Sequence, residues 1–361
     1  MKRTADQQRV LVIGSGIVGA SLAYHLAKAG AAVTILDANG IASGVTGSSF
    51  AWLNDTPKTP DPISQLRGQA LDDYRRLETE VPGLDVRWTG AIEFTPDVLE
   101  QHVLNGRTLV DRALTPAAIS KREPAFKALP ARAVLRSAQG ALDAVAATHA
   151  LIEAATRHGA KVLTGTGVTG FLTRAGVVTG VETVAGPMIA DVVVCATGIG
   201  SAALAQRLGC ALPVEASPAI FIRYASQPRL LRSIISGPDF EIRQGDDGTL
   251  FAAEDFVDGT NANSPHALAT RAAQAIASQL DVAAPLVVDR ACTGLRPIAS
   301  DGLPVIGFLP GHSGVYVCTM HPGVTLAAVV GRLASQEIRG AGESKALRPC
   351  RPGRFAAAGP A

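Results

Sequence analysis

Aromatic residues make up only 4% of the 361-residue chain, too few for a surface that stacks many bases or sugar rings. Charge is sparse as well, at 18% of residues, below the roughly 25% usual in soluble domains. The 33 Lys and Arg nearly cancel the 31 Asp and Glu, so no basic field exists to gather nucleic acid. Five cysteines, Cys195, Cys210, Cys292, Cys318 and Cys350, are odd in number and form no CxxC pair. This argues against a disulfide framework and a zinc site; no metal is expected, and a reducing, cytoplasmic setting is. Residues 10–27 lack Asp, Glu, Lys and Arg, which mimics a signal sequence or membrane anchor. Gly14, Gly16 and Gly19 at the centre of that run argue for a different reading. What is abundant is apolar residue, 47%, ample for a large core and incompatible with disorder across the chain. The length suggests two folding units, at about 150 residues each.

Residues 10–13, Val-Leu-Val-Ile, have the β-branched continuity of a parallel strand buried on both faces. Residues 17–29 read as a helix stopped by Gly30, and 32–36 as a second strand ending at Asp37. Connections this short make a βαβ unit. Similar patterns recur at 143–163, 191–208 and 315–338. Between them, Asp61 and Pro62 read as the start of a helix over 61–77. Short strand candidates fall at 87–94, 221–224, 240–243, 249–253 and 286–292. The expected fold class is therefore α/β: a Rossmann-like domain from 1–50, 141–209 and 292–341, and an antiparallel-sheet substrate domain from 51–140 and 210–291. Residues 342–361, rich in Ala, Pro, Gly and Arg, read as a disordered tail.

Gly14-Ser15-Gly16-Ile17-Val18-Gly19 is a GxGxxG sequence between a strand and a helix, with Asp37 at the end of the next strand. Gly14 permits the tight turn, Gly16 lets backbone approach a pyrophosphate, and Gly19 lets helix and strand pack closely. Free N–H groups and the dipole at the helix start suit phosphates. Asp37 suits ribose hydroxyls, and its charge opposes a 2′-phosphate. The fingerprint alone does not separate NAD from FAD.

Three later segments carry a resemblance. Residues 42–49, Ala-Ser-Gly-Val-Thr-Gly-Ser-Ser, form a small-residue loop after the second strand. Residues 191–198, Asp-Val-Val-Val-Cys-Ala-Thr-Gly, run from strand into a glycine exit. Gly294-Leu295-Arg296-Pro297 is followed by Asp301-Gly-Leu-Pro304, Ile306-Gly307 and His321-Pro-Gly-Val-Thr-Leu326. With these, the chain from about 9 to 338 resembles the D-amino-acid oxidase superfamily of FAD-dependent oxidoreductases, which includes glycine oxidase, sarcosine oxidases and D-amino-acid dehydrogenases.

The resemblance implies FAD, with contacts from Gly14, Ser15, Gly16, Ile17, Val18, Gly19, Asp37 and Ala38. It adds Ser43, Gly44, Thr46, Gly47, Ser48, Ser49, Val168, Ala196, Thr197, Gly198, Arg296, Gly323, Val324 and Thr325. It implies hydride transfer from a carbon next to nitrogen to flavin N5, on a small amino acid or N-methylated amine bearing a carboxylate. Arg296 is the implied carboxylate anchor. His321 is the second candidate catalytic residue, facing substrate or flavin, and Trp52 and Asn54 are candidates for the substrate wall. Many members carry a Tyr where residues 240–243 read Phe-Glu-Ile-Arg. Glu241 or Arg243 then enters the pocket, or both are solvated strand residues, the reading favoured here. Cys292 does not align with the cysteine that holds flavin covalently in some relatives, so FAD is expected to be noncovalent. A 2-hydroxy-acid oxidase or dehydrogenase, and a noncatalytic flavin-binding subunit of a hetero-oligomer, are the alternatives. The electron acceptor stays open, as do a homo-oligomer and peripheral membrane association with a quinone-linked activity.

Overall fold

The computed structural model describes residues 7–56, 61–96, 98 and 111–355. A six-stranded sheet runs in the order Val305–Phe308, Val315–Thr319, Val192–Cys195, Arg9–Ile13, Ala32–Leu36, Lys161–Leu163. Every pairing is parallel except that of the first two strands. Alternation in one strand shows how both faces fill. Val10 and Val12 face a core shared with helices Ile17–Lys28, Ala144–Arg157 and Gly323–Ile338. Leu11 and Ile13 face a second core, closed by Val178 and Val181 of a small antiparallel sheet. Burial on both faces is why these strands read as continuous apolar runs.

The second large sheet has eight strands, ordered Val288–Ala299, Val214–Tyr224, Leu250–Asp255, Glu241–Gln244, Ile234–Ser236, Ala91–Glu93, Ala133–Arg136, Asp111–Leu114. Here the two faces differ. Ile92, Ile220, Ile222, Ile235, Ile242 and Ala252 pack under the helix Pro265–Gln279, through Leu268, Ala272 and Ile276. The register puts Glu241 beside Ala253, Phe221 and Cys292 on the other face. Glu93 and Ser236, and Arg243 with Phe251, share that face by the same alternation.

Three sequence expectations need correction. The strand expected over 286–292 instead spans Val288–Ala299 and absorbs Gly294 and Pro297. It is an edge strand, where the missing proline N–H leaves no ladder partner wanting. The helix expected from Asp61 starts at Ser64; Asp61 instead accepts from Ile63 N and pairs with Arg67. The tail expected to be disordered from 342 forms two 3-10 turns, Lys345–Cys350 and Pro352–Phe355, while residues 356–361 lie outside the described residues. Leu347 and Cys350 are buried against the six-stranded sheet's core. Glu337, buried in the last helix, accepts from Tyr316 Oη at 2.6 Å, Ser344 N at 2.6 Å and Arg351 Nη1 at 2.9 Å. Composition suggested a solvated tail; a single arginine meeting a buried carboxylate decides otherwise.

That ion pair predicts a stability effect. Replacing Arg351 with Leu strands the Glu337 carboxylate in the core, and a broken buried pair costs about 3 kcal/mol or more. Urea unfolding of the variant measures it; a loss below about 0.5 kcal/mol would mean the contact has only surface strength.

Candidate active site

The glycine turn is fixed by close backbone contacts. Gly14 has φ +102°, and a Cβ there would stand 2.5 Å from Ala196 O. A Cβ at Gly19 would stand 2.0 Å from Gly14 O, so only glycine lets the helix begin this near the strand. Gly16 caps the helix Ile17–Lys28 without a side-chain bond, and its first turn has no acidic residue. The start of that helix is thus an open anion site. The Asp37 carboxylate accepts from Ser15 N at 2.8 Å and Ser15 Oγ at 2.7 Å, and from Asn39 N at 2.9 Å. One acid therefore ties the second strand to the glycine turn.

The small-residue loop folds over this turn. Ala42 has φ +58°, and Gly47 lies so close that a Cβ would meet Ala42 O at 2.7 Å. Val45–Ser48 makes a 3-10 turn. Its Thr46 Oγ1 accepts from Ile17 N at 3.2 Å. Ser48 abuts Gly294 of the second sheet, where a Cβ would lie 2.9 Å from Ser48 Oγ. Gly198, with φ +56°, accepts from Thr319 Oγ1 at 3.0 Å. At the other end, Thr325 Oγ1 donates to Trp52 O at 3.1 Å and accepts from Asn54 N at 3.3 Å. Trp52 Nε1 donates to Gln139 Oε1 at 2.9 Å.

These elements enclose one cavity of about 1450 Å³. Typical small-ligand pockets reach about 1,000 Å³, so there is room for a dinucleotide and a second molecule. Of the expected cofactor residues, Gly14, Gly16, Ile17, Val18, Asp37, Ala38, Ser43, Gly44, Thr46, Ser48 and Ser49 line it. So do Val168, Ala196, Thr197, Gly198, Arg296, Gly323, Val324 and Thr325, together with Trp52, Asn54 and His321. Ser15, Gly19 and Gly47 do not; they lie behind the wall and hold its shape through the contacts above. The residues fit FAD: an open helix start, a glycine surface too close for side chains, and an acid beside them. Among the described residues no group of three or more His, Cys, Asp or Glu is placed to hold a metal. No helix among them is long and apolar enough to cross a membrane.

The far half of the cavity is lined by the charged face of the eight-stranded sheet. Arg296 lies at Ser217 in the register, and its guanidinium donates to Ser217 Oγ at 3.0 Å, Pro218 O at 3.3 Å and Ser217 O at 3.4 Å. All three acceptors are neutral, and no ion pair to Arg296 exists among the described residues. The helix Gly323–Ile338 starts at the same cavity, with no side-chain cap and no acid in its first turn.

Sequence reasoning missed the acids. Glu93 and Glu241 line the cavity, as do Phe221, Cys292, Arg67 and Arg290. The favoured reading of Glu241 and Arg243 as solvated strand residues is overturned. Arg243 is 6% exposed, donates to Phe50 O at 2.6 Å and Leu142 O at 3.1 Å, and sits over the rings of Phe50 and Phe251. Burial lowers its pKa to about 10. Glu93 is ion-paired with Arg136 at 2.8 Å. Glu241 receives one hydrogen bond, from Ser236 Oγ at 3.4 Å. Burial, then the charges of Glu93, Glu254 and Asp255, push its pKa up to about 7. The available signal was the Phe-Glu-Ile-Arg alternation, which is the same whether the polar face meets solvent or a cavity.

Comparison with known proteins agrees with this architecture. The family described as DAO, FAD dependent oxidoreductase, matches residues 9–337. The chain is similar to the glycine oxidase of Pseudomonas putida, 26% identical over 92% of this chain and 95% of that one. It is 30% identical to the 4-methylaminobutanoate oxidase (formaldehyde-forming) of Paenarthrobacter nicotinovorans, over 60% of this chain and 27% of that longer one. Among solved structures, glycine oxidase from Bacillus cereus superposes with a TM-score of 0.82 at 21% identity, over 95% of this chain and 98% of that one, and shares the fold. A family match running through both sheets, on a cavity shaped for a dinucleotide, places the chain in the DAO family of FAD-dependent oxidoreductases, as an FAD-dependent amino acid or amine oxidoreductase.

Proposed function

We propose that the chain oxidises the C–N bond of a small amino acid or N-methylated amine that bears a carboxylate. The observation that carries this is Arg296, a guanidinium on the cavity wall held only by neutral oxygens. A planar fork with an uncompensated charge matches a carboxylate bidentately. FAD, when bound, supplies the two-electron acceptor for hydride removed from the carbon beside nitrogen. The protein's part is placement and field. Arg296 fixes the carboxylate end, and Phe221 and Trp52 line the same cavity. The helix start at Gly323 directs free N–H groups and a positive dipole end into the cavity, where negative charge accumulates on reduction. His321, two residues earlier, lines the same end. The glycine oxidase and 4-methylaminobutanoate oxidase likenesses support this substrate class.

The test is anaerobic mixing of the purified yellow protein with glycine, sarcosine, 4-methylaminobutanoate, D-amino acids and 2-hydroxy acids, following the flavin band. Bleaching is expected with one or more of the carboxylated amines and with none of the hydroxy acids. Bleaching by a 2-hydroxy acid alone, or by nothing, would overturn the proposal. Acid precipitation of the same sample should release all the yellow colour to the supernatant, as noncovalent FAD requires.

A further inference from the structure

We propose that Glu241 is the substrate-amine residue of this cavity: its carboxylate binds the substrate as an ammonium ion and takes one proton from it before C–H cleavage. The proposal rests on the reading of the chain as a carboxylated-amine oxidoreductase, and names the group that reads the amine.

Charge on this cavity wall is left uncompensated. Among the described residues, Arg296 is a cation on the cavity wall with only neutral partners. Glu241 lines the same cavity, and no cation pairs with it among the described residues. The neighbouring acid, Glu93, already has a cation partner in Arg136, at 2.8 Å. A cavity wall on which a guanidinium and a carboxylate both lack a charged partner is complementary to a zwitterion, since a half-buried charge without a counter-charge is costly. The backbone register places Glu241 level with Cys292 across three strand spacings, and Arg296 four residues farther along that strand. The two charges therefore stand on different strands of the same sheet face.

The step balances simply. An N–H bond of the bound ammonium breaks, its proton forms an O–H bond on Glu241, and nitrogen keeps the electron pair. That pair forms the C=N bond as the neighbouring C–H pair leaves as hydride, FAD being the acceptor.

Other charged groups bear on the titration of Glu241. Glu93 with Arg136, and Asp255 on the neighbouring strand, share its face, with Arg243 on its own strand and Arg290 and Arg296 on the edge strand. Glu254 alternates onto the opposite face, and its pKa is also raised to about 7, by burial and then by Asp255. His321 lines the cavity too. Glu254 and His321 are unchanged in a Glu241 variant, so comparison of profiles isolates Glu241.

The experiment compares wild-type holoenzyme with Glu241→Gln, using the best amine from the panel. In wild type, kcat/KM should rise through about pH 7, as Glu241 ionises, and then level off. In Glu241→Gln only the free amine reacts, so kcat/KM should climb about tenfold per pH unit toward the substrate's own amine pKa. The loss should be about 500-fold at pH 7 and within about 3-fold near pH 10. Glu241→Asp should recover part of the neutral-pH rate. A readout without turnover is flavin perturbation by the isosteric acid lacking the amine, whose Kd at pH 6, where Glu241 is protonated, should change less than about 2-fold in Glu241→Gln. If Glu241→Gln lacks flavin, wild type alone decides: affinity for that amine-free acid should fall about 5-fold or more from pH 6 to 8, as Glu241 becomes anionic. Parallel wild-type and Glu241→Gln profiles, or a flat wild-type acid affinity, would overturn the assignment while leaving amine oxidation itself intact. Failure of every amine in the panel would instead overturn the parent reading.

Discussion

Arg296→Ala is expected to purify yellow and folded, yet to resist bleaching at substrate concentrations that reduce the wild type within seconds. The guanidinium's present partners are Ser217 Oγ and two backbone carbonyls on the cavity wall. Water takes those positions once the side chain is gone, so the strand does not need the arginine to pair. A substrate carboxylate does. Two charge-assisted hydrogen bonds contribute about 1.5–3 kcal/mol each. Losing both lowers kcat/KM by about 1000-fold, since each 1.4 kcal/mol is a factor of ten. Lysine should recover about one factor of ten, because an ammonium keeps the charge but not the fork. The FAD content of all three proteins should be the same. A kcat/KM for Arg296→Ala within about 3-fold of wild type would leave the carboxylate without its anchor and send the search to Arg290, Arg207 or Arg67, the other guanidinium groups that line the cavity.

The uneven legibility of this chain has a physical pattern. The first strand, its glycine turn and Asp37 are local: residues 10–37 contain the turn, the helix and the acid, and Gly19 packs on Gly14 within that unit, although Gly14 itself meets Ala196, just past the strand Val192–Cys195. Sequence showed them because spacing alone specifies them. Arg296 was legible from its Gly-Leu-Arg-Pro setting, although the strand holding it was expected to end earlier. Glu241 and Arg243 were not, because period-2 alternation says only that one face is apolar. Whether the other face meets bulk water or an enclosed cavity depends on the small-residue loop and Phe50, about 190 residues earlier in the chain. The 345–355 segment failed for a related reason. Its packing depends on Arg351 reaching Glu337, a tertiary contact that propensity does not contain.

The glycine turn offers a test that separates what the protein needs from what the cofactor needs. Gly19→Ala places a methyl 2.0 Å from Gly14 O, a backbone atom that is itself pinned. Helix or strand must shift, so both stability and FAD binding should fail, and the variant should be colourless and easily unfolded. Gly16→Ala meets only Thr46 Oγ1, at 3.1 Å, a side-chain atom that need give by only a few tenths of an ångström. The FAD-free Gly16→Ala protein should therefore unfold within about 1 kcal/mol of FAD-free wild type, the range of a tolerated glycine replacement. Its FAD affinity should nevertheless drop by about 100-fold or more, because the new methyl occupies the surface a pyrophosphate needs to approach. Gly30→Ala serves as the control. It has φ +87° but open space around it, so it should lose about 1 kcal/mol to backbone strain and keep its colour. Denaturant unfolding of the three apoproteins, beside fluorescence titration with FAD, gives both axes. If Gly16→Ala bound FAD as wild type does, the diphosphate would not rest on this turn, and the cavity's division into a cofactor half and a substrate half would have to be redrawn.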